Sequence, residues 1–599
     1  MNLLIIDSPI KAAKIAPWLG EGWRIEASRG RLRDLPTDAL GVAVKDAFTP
    51  QYRVLPHQRG TVTRLKQAAA EAETIYFATD PDPEGELAAW HLSELLKAEL
   101  KQKPVYRVVF SALTQAAVLV ALDAPRAIDR RLVEAQETRR TLDRLVGYLI
   151  SVLASKRLGQ PYPIGRVAGM CLRLLVERER TIETFQSSTL WTCEAKFVAA
   201  DQPFTTALNA RRDIRNWDEP AVAALVRTQA DTHFEIQDVQ IQTVLQAPLP
   251  PFTLSTLQQA ASDALRLTPE TTVALARGLY ECGFITYPLT DSLTIAPEAQ
   301  AAVREYITAH YGATYVPTLP NIYKNERAPS YPGAEAIRPT DITRLPESLA
   351  SGIGADLYAL ICQRFIESHM STAQYRDTQV TVQGGDARYT AQSHTLTFDG
   401  FLKLSSQTAL VETRLPTLTP GQALTCRSIE PISHPIQSPS RYTDASLVAD
   451  LAKHDIDPLS VSPIRFLTEK GYITRDGKFL LPTARGSTLA HFLNKHFADV
   501  FEVTHAAQLE QQIDRITAGE TRRLSFLSAF WESGFTAQCR ALAIQLLPKT
   551  LNVVGVCPKC GGRLIERHHK RGVFAACEHY PKCKGRTEPV KLTAVQGAH

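Results

Sequence analysis

The 599-residue chain lacks any long uncharged apolar run, although 44% of its residues are hydrophobic. A helix that spans a bilayer needs about 20 apolar residues in succession, so we expect no membrane segment. The first residues, MNLLIIDSPIK, lack the basic stretch and the small-residue cleavage site of a signal peptide and instead indicate a buried strand. No GxxxxGKS/T phosphate-binding loop occurs either. These absences favour a cytoplasmic protein without a P-loop.

The excess of positive charge is also small, because the formal net charge is only +5. It is concentrated in two segments. Residues 541–599 hold ten Lys or Arg against three Asp or Glu, and residues 124–180 hold twelve against six. Such segments favour a polyanionic partner, with nucleic acid as the first candidate. A solvated helix face is the alternative, and charge alone leaves both open.

Paired cysteines are confined to the segment CPKCGGRLIERHHKRGVFAACEHYPKCKG. Its spacing is typical of a zinc ribbon, in which four thiolates hold the metal and the metal supplies much of the folding free energy. Disulfides or idle thiols are the alternatives, and His568 and His569 are substitute ligand candidates. The predicted ligands are Cys557, Cys560, Cys577 and Cys583. The other six cysteines stand singly and are interpreted as reduced core residues: Cys171, Cys193, Cys282, Cys362, Cys426 and Cys539.

Acidic residues follow an apolar strand in TIYFATDPDPEGELAAWHLSELLKAEL. Asp80, Asp82 and Glu84 alternate through a predicted loop over residues 80–86, which leads into a helix. Ligands of open α/β sheets bind at this end of a strand. Carboxylates packed together repel one another unless a cation joins them, so we expect Mg²⁺ here. A helix N-terminus carrying acids that suit its dipole would explain only one or two of them.

A second strand, NLLIID, ends at Asp7 and leads into a helix that begins with Lys11 and Lys14. Two strand ends therefore offer carboxylates.

One tyrosine, Tyr287, stands between an apolar run and an Asp-Ser pair in GFITYPLTDS. Such a tyrosine is usually packed by its ring and tied by its hydroxyl. A phenol with a reference pKa of about 10 is a poor nucleophile at neutral pH, so an attacking Tyr287 needs positive charge nearby. The stretch alone does not choose between these interpretations.

Nine segments occur in the order found in bacterial type IA DNA topoisomerases, which the chain resembles from residue 2 to about residue 585. They are NLLIIDSPIKAAKIAPWLG, ASRGRLRDLP, YFATDPDPEGELAAWHL, RRTLDRLVGYL, PIGRVAGMCLRLLVERER, PPFTLSTLQQAA, LYECGFITYPLTDS, EAIRPTDI and RYTDASLVADL. The resemblance implies a multidomain α/β and α+β protein. Its expected parts are a Toprim-like metal-binding domain over 1–120, a toroidal catalytic ring of helical and β gate domains over 125–545, and a Cys₄ zinc ribbon over 552–590.

The resemblance also implies an activity. It places the nucleophile at Tyr287 and implies that single-stranded DNA is cleaved and rejoined through a 5′-phosphotyrosine, without ATP. Relaxation of negative supercoils or decatenation would follow, with Mg²⁺ and Zn²⁺ as cofactors. We expect a monomeric, cytoplasmic, nucleoid-associated protein whose partners are single-stranded and negatively supercoiled DNA.

Site residues carry over position by position. Catalytic roles fall on Tyr287, Asp7, Lys11, Glu84 and Arg338, and the expected Mg²⁺ ligands are Asp7, Asp80 and Asp82. The implied DNA-binding positions are Arg31, Arg33, Arg139, Arg140, Arg144, Tyr148, Gly165, Arg166 and Leu289.

The chain departs from the family pattern at several of these positions. The family has Arg two residues after the tyrosine, Arg in the acidic loop and His before the Glu of EAIRPT, where this chain has Leu289, Pro83 and Ala334. Further departures replace a Glu by Asp7, a His by Arg31, a Gln by Ala168, and a GIGRPST turn by DIDPLSV at 455–461.

These departures leave two functional hypotheses. Losing one preorganised donor typically costs about 10² to 10³ in rate, so the enzyme is expected to have reduced or specialised activity. Arg31 is a candidate for the positive charge that Leu289 lacks. The alternative is a catalytically silent paralogue that binds single-stranded DNA, for example on mobile elements. A primase or nuclease is disfavoured, because neither needs PPFTLSTLQQAA or FITYPLTDS.

Overall fold

The apolar run at the start of the chain forms a central strand of a parallel sheet, and Leu3 to Ile6 are almost completely buried. Parallel strands point the same way, so the residues that follow them meet at one edge. The elements of this α/β domain are β1 (Asn2–Ile6), α1 (Pro9–Leu19), β2 (Trp23–Ala27), β3 (Arg33–Asp34), β4 (Val42–Ala43), β5 (Thr49–Pro50), β6 (Arg53–Val54), α2 (Arg59–Glu71), β7 (Thr74–Ala78), α3 (Pro83–Leu95), β8 (Val105–Arg107) and α4 (Gln115–Asp123). Four strands pair in the order β2-β1-β7-β8.

The protein is described by a computed structural model over residues 1–208, 219–229, 232–325, 329, 331, 333–404, 410–454, 456, 463–546, 553–569 and 572–586. The chain divides into two compact units, one of residues 1–148 with 164–529 and one of residues 149–163 with 530–599. In these ranges no helix combines the length and the apolar composition that a bilayer crossing requires.

The acidic loop is shorter than the sequence predicts. Helix α3 begins at Pro83, so Glu84 lies in its first turn and the expected loop over 80–86 is wrong. Asp82 caps this helix by accepting a hydrogen bond from the Gly85 N–H at 2.6 Å, and proline at the first helical position loses no hydrogen bond. A Cβ on Gly85 would lie 2.0 Å from the Asp80 carbonyl oxygen, so the close approach of the loop requires glycine.

Two long helices, α5 (Arg130–Leu158) and α6 (Arg166–Glu183), lead into a closed six-stranded barrel. Burial alternates along its strands, as a half-buried sheet requires. Phe197, Phe234 and Tyr389 fill its interior. The barrel elements are β9 (Thr189–Ala199), β10 (Gln202–Leu208), α7 (Glu219–Thr228), β11 (Phe234–Gln246), β12 (Ala373–Gly384), β13 (Ala387–Phe398) and β14 (Ala423–Pro435), with strand order β10-β13-β12-β11-β14-β9.

Tyr287 lies between the second and third helices of a helical segment inserted between β11 and β12, whose helices are α8 (Leu254–Leu265), α9 (Pro269–Glu281), α10 (Pro297–Tyr311) and α11 (Ile353–Ser368). Gly283 ends α9 with a φ of +72°, and a Cβ there would lie 2.7 Å from the Leu113 carbonyl oxygen. The next residues form single β-bridges, Thr286 with Ala112 and Ile285 with Pro339. The tyrosine is therefore held between the end of the α/β domain and the segment EAIRP.

The remaining helices and short strands of the chain are α12 (Asp444–Lys453), α13 (Pro463–Glu469), β15 (Ile473–Asp476), β16 (Phe479–Pro482), α14 (Ala484–Phe497), α15 (Val503–Ala518), α16 (Arg523–Phe530) and α17 (Thr536–Gln545). Residues Trp531–Phe535 form a kink between α16 and α17, where Gly534 has a φ of +106°. Short 3₁₀ helices lie at Pro56–Gln58, Ala313–Tyr315, Pro346–Ser348, Gly400–Lys403 and Asp499–Phe501. A final antiparallel sheet consists of β17 (Val553–Val556), β18 (Arg563–His569) and β19 (Gly572–Cys577).

Candidate active site

The hydroxyl of Tyr287 lies among carboxylates at the edge of the parallel sheet. The residue is buried, and its Oη donates a hydrogen bond to Asp82 Oδ2 at 2.5 Å and a longer one to Asp80 Oδ2 at 3.4 Å. Its backbone N–H donates to the Ser111 carbonyl at 2.8 Å. The ring is packed, as the packing interpretation requires, but the hydroxyl is directed at the acids.

A buried lysine joins the remaining acids of this edge. Lys11 is 2% exposed, and its Nζ donates to both carboxylate oxygens of Asp7 at 3.0 Å and also to Asp80. Burial would lower the pKa of Lys11, but Asp80 and its other neighbours hold that pKa above its usual value. Lys11 is therefore charged, and Tyr287, Asp7, Lys11, Asp80 and Asp82 come together as the sequence predicts.

The acids repel one another, as their pKa values indicate. Burial and the charge of Asp80 raise the pKa of Asp7 and that of Asp82 to about 6 each. Among the described residues, the four ribbon cysteines are the only group of three or more Cys, His, Asp or Glu whose ligand atoms all lie within 4.8 Å of one another. The three acids therefore do not form such a group. The Lys11 ammonium and the Tyr287 hydroxyl bridge the carboxylates instead. Mg²⁺ is usually held by one or two carboxylates and retains several waters, so Asp80 and Asp82 suit it.

Tyr287 itself is a weak acid in this setting. Burial, then the charges of Asp82 and Asp80, raise its pKa well above the usual value, and the positive charge of Arg277 opposes them. Sequence analysis missed this arginine, which is in α9. It also missed Tyr280 and Tyr331, whose rings pack edge-on against Tyr287 with centroid distances of 5.2 and 6.4 Å. Arg277 and Tyr280 are three residues apart, a helical spacing that places both on one face.

Two predicted catalytic residues form hydrogen bonds with side chains outside the cluster of Tyr287, Lys11 and the aspartates. Glu84 accepts hydrogen bonds from Arg31 and, at 2.8 Å, from Gln136. Arg338 donates twice to Glu335 Oε2, at 2.7 and 2.9 Å, and its own carbonyl accepts from the Thr286 N–H. The catalytic roles of Glu84 and Arg338 therefore stay predictions.

Most of the predicted DNA-binding arginines are engaged with acids of this chain. Arg139 and Arg166 both bind Glu510, at 2.8 and 2.7 Å, and they hold the pKa of Glu510 at about 2 against the effect of burial. Arg140 pairs with Asp34. Other predicted positions are Arg144 and Tyr148 on α5 and Gly165, which caps α6. The DNA-binding roles of these three residues stay predictions.

Arg33 is also held within its own domain. Its guanidinium lies 4.9 Å from the Trp90 ring centroid and 5.1 Å from that of Tyr52, and its Nε donates to His91 Nδ1 at 2.7 Å. Burial and nearby arginines lower the pKa of His91 to about 2, so the imidazole is neutral and can accept this bond. Arg33 stays a predicted DNA contact, although the contacts it makes here are with side chains of its own domain.

The acidic cluster opens into a cavity of about 1370 Å³. Its walls come from the α/β domain, from α5, α6 and α9, from the segment after Tyr287, and from α15. Asp7, Asp80, Asp82 and Leu289 all line it. The three acids therefore border a space that a ligand can enter, and the buried Tyr287 contacts two of them.

The C-terminal cysteines form a second candidate site. Their sulfur atoms all lie within 4.8 Å of one another, with Cys560 Sγ 3.3 Å from Cys577 Sγ and Cys557 Sγ 3.7 Å from Cys583 Sγ. Four converging thiols match the donor set of a closed, structural zinc site. The side chains of His568 and His569, the substitute candidates, lie outside the described part.

Comparison with known proteins decides the family. Family models match at residues 2–113 for the Toprim domain, 127–528 for DNA topoisomerase and 554–591 for the topoisomerase DNA-binding C4 zinc finger. DNA topoisomerase 1 of Campylobacter jejuni is 33% identical over 616 residues, covering 97% of this chain and 85% of that protein. The chain belongs to the type IA DNA topoisomerase family.

The fold agrees with this assignment. The structure of full-length topoisomerase I from Thermotoga maritima has a TM-score of 0.79 and 28% identity, covering 98% of this chain and 97% of that one. The expected fold class and the type IA topoisomerase activity are confirmed, and no observation favours the catalytically silent alternative. A Toprim domain typically binds Mg²⁺ and a C4 ribbon binds Zn²⁺, so the cofactor prediction is also confirmed, and DNA is the partner.

Two of the departures in this topoisomerase lie in one hydrophobic cluster, and the others lie in different elements. Leu289 is 5% exposed and Ala334 is 4% exposed, and both join a hydrophobic cluster with Tyr331 and line the cavity. Pro83 begins α3, and Ala168 is buried in α6. Most of the DIDPLSV turn lies outside the described residues. Two polar groups of the family pattern are therefore replaced by apolar side chains that belong to one hydrophobic cluster.

The ribbon gives the first testable prediction. The purified topoisomerase should carry one zinc ion per chain by elemental analysis, and Cys577→Ser combined with Cys583→Ser should lose it, because two thiolates cannot close a tetrahedral site. Cys426→Ser, at a half-buried cysteine of the barrel, is the matched control and should keep the zinc. A wild-type protein without zinc would contradict the assignment.

Proposed function

We propose that this topoisomerase cleaves and rejoins single-stranded DNA by forming a covalent bond between Tyr287 and a 5′-phosphate. The observation that carries the proposal is the hydrogen bond of 2.5 Å from Tyr287 Oη to Asp82, within a cluster that also holds Asp7, Lys11 and Asp80. A nucleophile, a proton acceptor and a proton donor are thus within one site. This arrangement is the one that nucleophilic catalysis needs.

The first step is attack by the tyrosine oxygen. Asp82 takes the phenolic proton as the new bond from Tyr287 Oη to phosphorus forms, since the hydrogen bond already directs that proton at the carboxylate. Mg²⁺ held by Asp80 and Asp82 would supply positive charge to the phosphate oxygens.

The second requirement is a proton for the leaving oxygen. The bond from phosphorus to the 3′-oxygen breaks as the tyrosine bond forms, and Lys11 is the charged donor within the cluster, with Asp7 and Asp80 holding its Nζ in place. The phosphotyrosine conserves the energy of the phosphodiester bond. Rejoining reverses both proton transfers. Because the bond energy is conserved, neither step consumes ATP.

DNA reaches this site through the cavity. The acids of the cluster, Asp7, Asp80 and Asp82, line this cavity. The expected result of repeated cleavage and rejoining is relaxation of negative supercoils or decatenation. We propose that the enzyme acts as a monomer, since the acids, the lysine and the tyrosine complete the cluster without a second subunit. We place the protein in the cytoplasm at the nucleoid, where its DNA would be.

Asymmetric end-labelling tests the proposal. Single-stranded oligonucleotides labelled at the 3′ or at the 5′ end are incubated with the enzyme and Mg²⁺ and then denatured rapidly. Attachment through a 5′-phosphate leaves the 3′ label on the protein and releases the 5′ label on a fragment with a free 3′-hydroxyl. The reverse pattern, or no labelled protein on any single-stranded substrate, would sink the proposed chemistry.

A further inference from the structure

A cationic side chain that no motif indicates faces the proposed site. Arg277 lies on α9, three residues before Tyr280, the residue whose ring packs at 5.2 Å against Tyr287. Its side chain is exposed and lines the cavity together with Asp80 and Asp82. The guanidinium is therefore presented to whatever ligand enters.

The other arginines of the cavity wall are already neutralised. Arg31 is bound by Glu84 and Asp34, and Arg139 and Arg166 share Glu510. Arg515 pairs with Glu520 at 3.2 Å. Within the part of the chain that the structure describes, no hydrogen bond or ion pair is recorded for Arg277. It is the arginine of this wall that can take a phosphate without first breaking a salt bridge.

The electrostatic setting of Arg277 points to the same atoms. Although the residue is exposed, desolvation by the surrounding protein would lower its pKa, but Tyr287, Asp80 and Asp82 hold that pKa above the usual value. Among the groups that act most strongly on Tyr287, Arg277 is the one that lowers the tyrosine pKa. Its charge therefore reaches the oxygen that attacks and the acids that surround it.

The apolar residues of the cavity explain why such a cation is needed. Leu289 stands where the family has arginine, and it packs with Ala334 and Tyr331 in an apolar cluster. The side chains of Leu289, Ala334 and Tyr331 carry no positive charge for a phosphate held at Tyr287. A phosphate undergoing attack gains negative charge, and preorganised donors aimed at that charge are often the largest catalytic contribution.

We propose that Arg277 binds the scissile phosphate and supplies, from α9, the positive charge that the family pattern supplies from the position of Leu289. The inference rests on the proposed function, since it assumes that the phosphate is attacked by Tyr287. A planar guanidinium can hold two phosphate oxygens at once, which suits this role. Arg31, the candidate suggested by the sequence, is instead held by Glu84 and Asp34.

The test compares Arg277→Gln and Arg277→Lys with the wild type in single-turnover formation of the covalent adduct at saturating 3′-labelled single-stranded DNA. Arg277→Gln should lower the maximal cleavage rate by about 10² to 10³-fold, and Arg277→Lys by less because it retains the charge. Arg227→Gln removes an exposed arginine of α7 that does not line the cavity, and it should cleave at the wild-type rate. Adding Leu289→Arg to Arg277→Gln should restore part of the lost rate.

Zinc content and thermal unfolding of each variant show that the fold is intact. A wild-type maximal rate in Arg277→Gln, or a change confined to DNA affinity, would overturn the inference. The proposed function would survive that result as long as Tyr287→Phe forms no adduct. Absence of any adduct in the wild type would instead overturn both.

Discussion

Tyr287→Phe is expected to abolish covalent attachment of DNA while leaving the protein folded. The substitution keeps the ring that packs against Tyr280 and Tyr331, and it removes the oxygen that would attack phosphorus. Labelled DNA on denatured protein should fall below detection, and binding of single-stranded DNA without cleavage should remain.

The matched control for this prediction is Tyr280→Phe. Tyr280 is a buried neighbour whose hydroxyl has no recorded hydrogen bond among the described residues, so its loss removes a similar group without touching Asp82. The adduct should persist in this control. An adduct of normal yield in Tyr287→Phe would show that another residue is the nucleophile.

The second large effect is expected from Asp80→Asn combined with Asp82→Asn. Both carboxylates touch the Tyr287 hydroxyl, and both are the proposed ligands of Mg²⁺. Their loss removes the proton acceptor and the metal, and a bound metal alone contributes several kcal/mol, so Mg²⁺-dependent relaxation of supercoiled plasmid should fall by about 10³-fold or more.

Two measurements separate this effect from general damage. Zinc content should stay unchanged, because the ribbon ligands are thiolates and belong to a separate site. Asp38→Asn removes an exposed carboxylate of the same domain, paired with Arg53 at 3.4 Å, and should relax plasmid normally. Wild-type relaxation by the double variant would remove the two acids from the mechanism.

Local patterns in the sequence predicted the parts of the site that depend on local structure. The apolar strands before Asp7 and Asp80 predicted carboxylates at two strand ends, and these meet at one sheet edge because the two strands pair in parallel. The cysteine spacing predicted the ribbon for the same kind of reason, since two tight turns place four thiols together. The loop length was wrong, because Asp82 and Pro83 start the helix earlier than the acidic run suggests.

Long-range pairing is what the sequence could not supply. Arg139 lies 371 residues from Glu510 in the chain, and nothing near either residue indicates that they neutralise each other. Arg277 shows the opposite case. In the sequence it resembles any exposed helical arginine, and only the packing of α9 beside Tyr287 brings it to the site. Charge counts along the chain thus predict a polyanionic partner but not which cations are free to meet it.

Identification of the residue that carries the DNA tests the central claim most directly. The adduct formed on single-stranded DNA is trapped, digested with nuclease and protease, and the modified peptide is sequenced by mass spectrometry. We expect the 5′-phosphate of a nucleotide on Tyr287. A nucleotide on any other residue, or a 3′-phosphate linkage, would contradict the proposal that Tyr287 and the acids beside it cleave the strand.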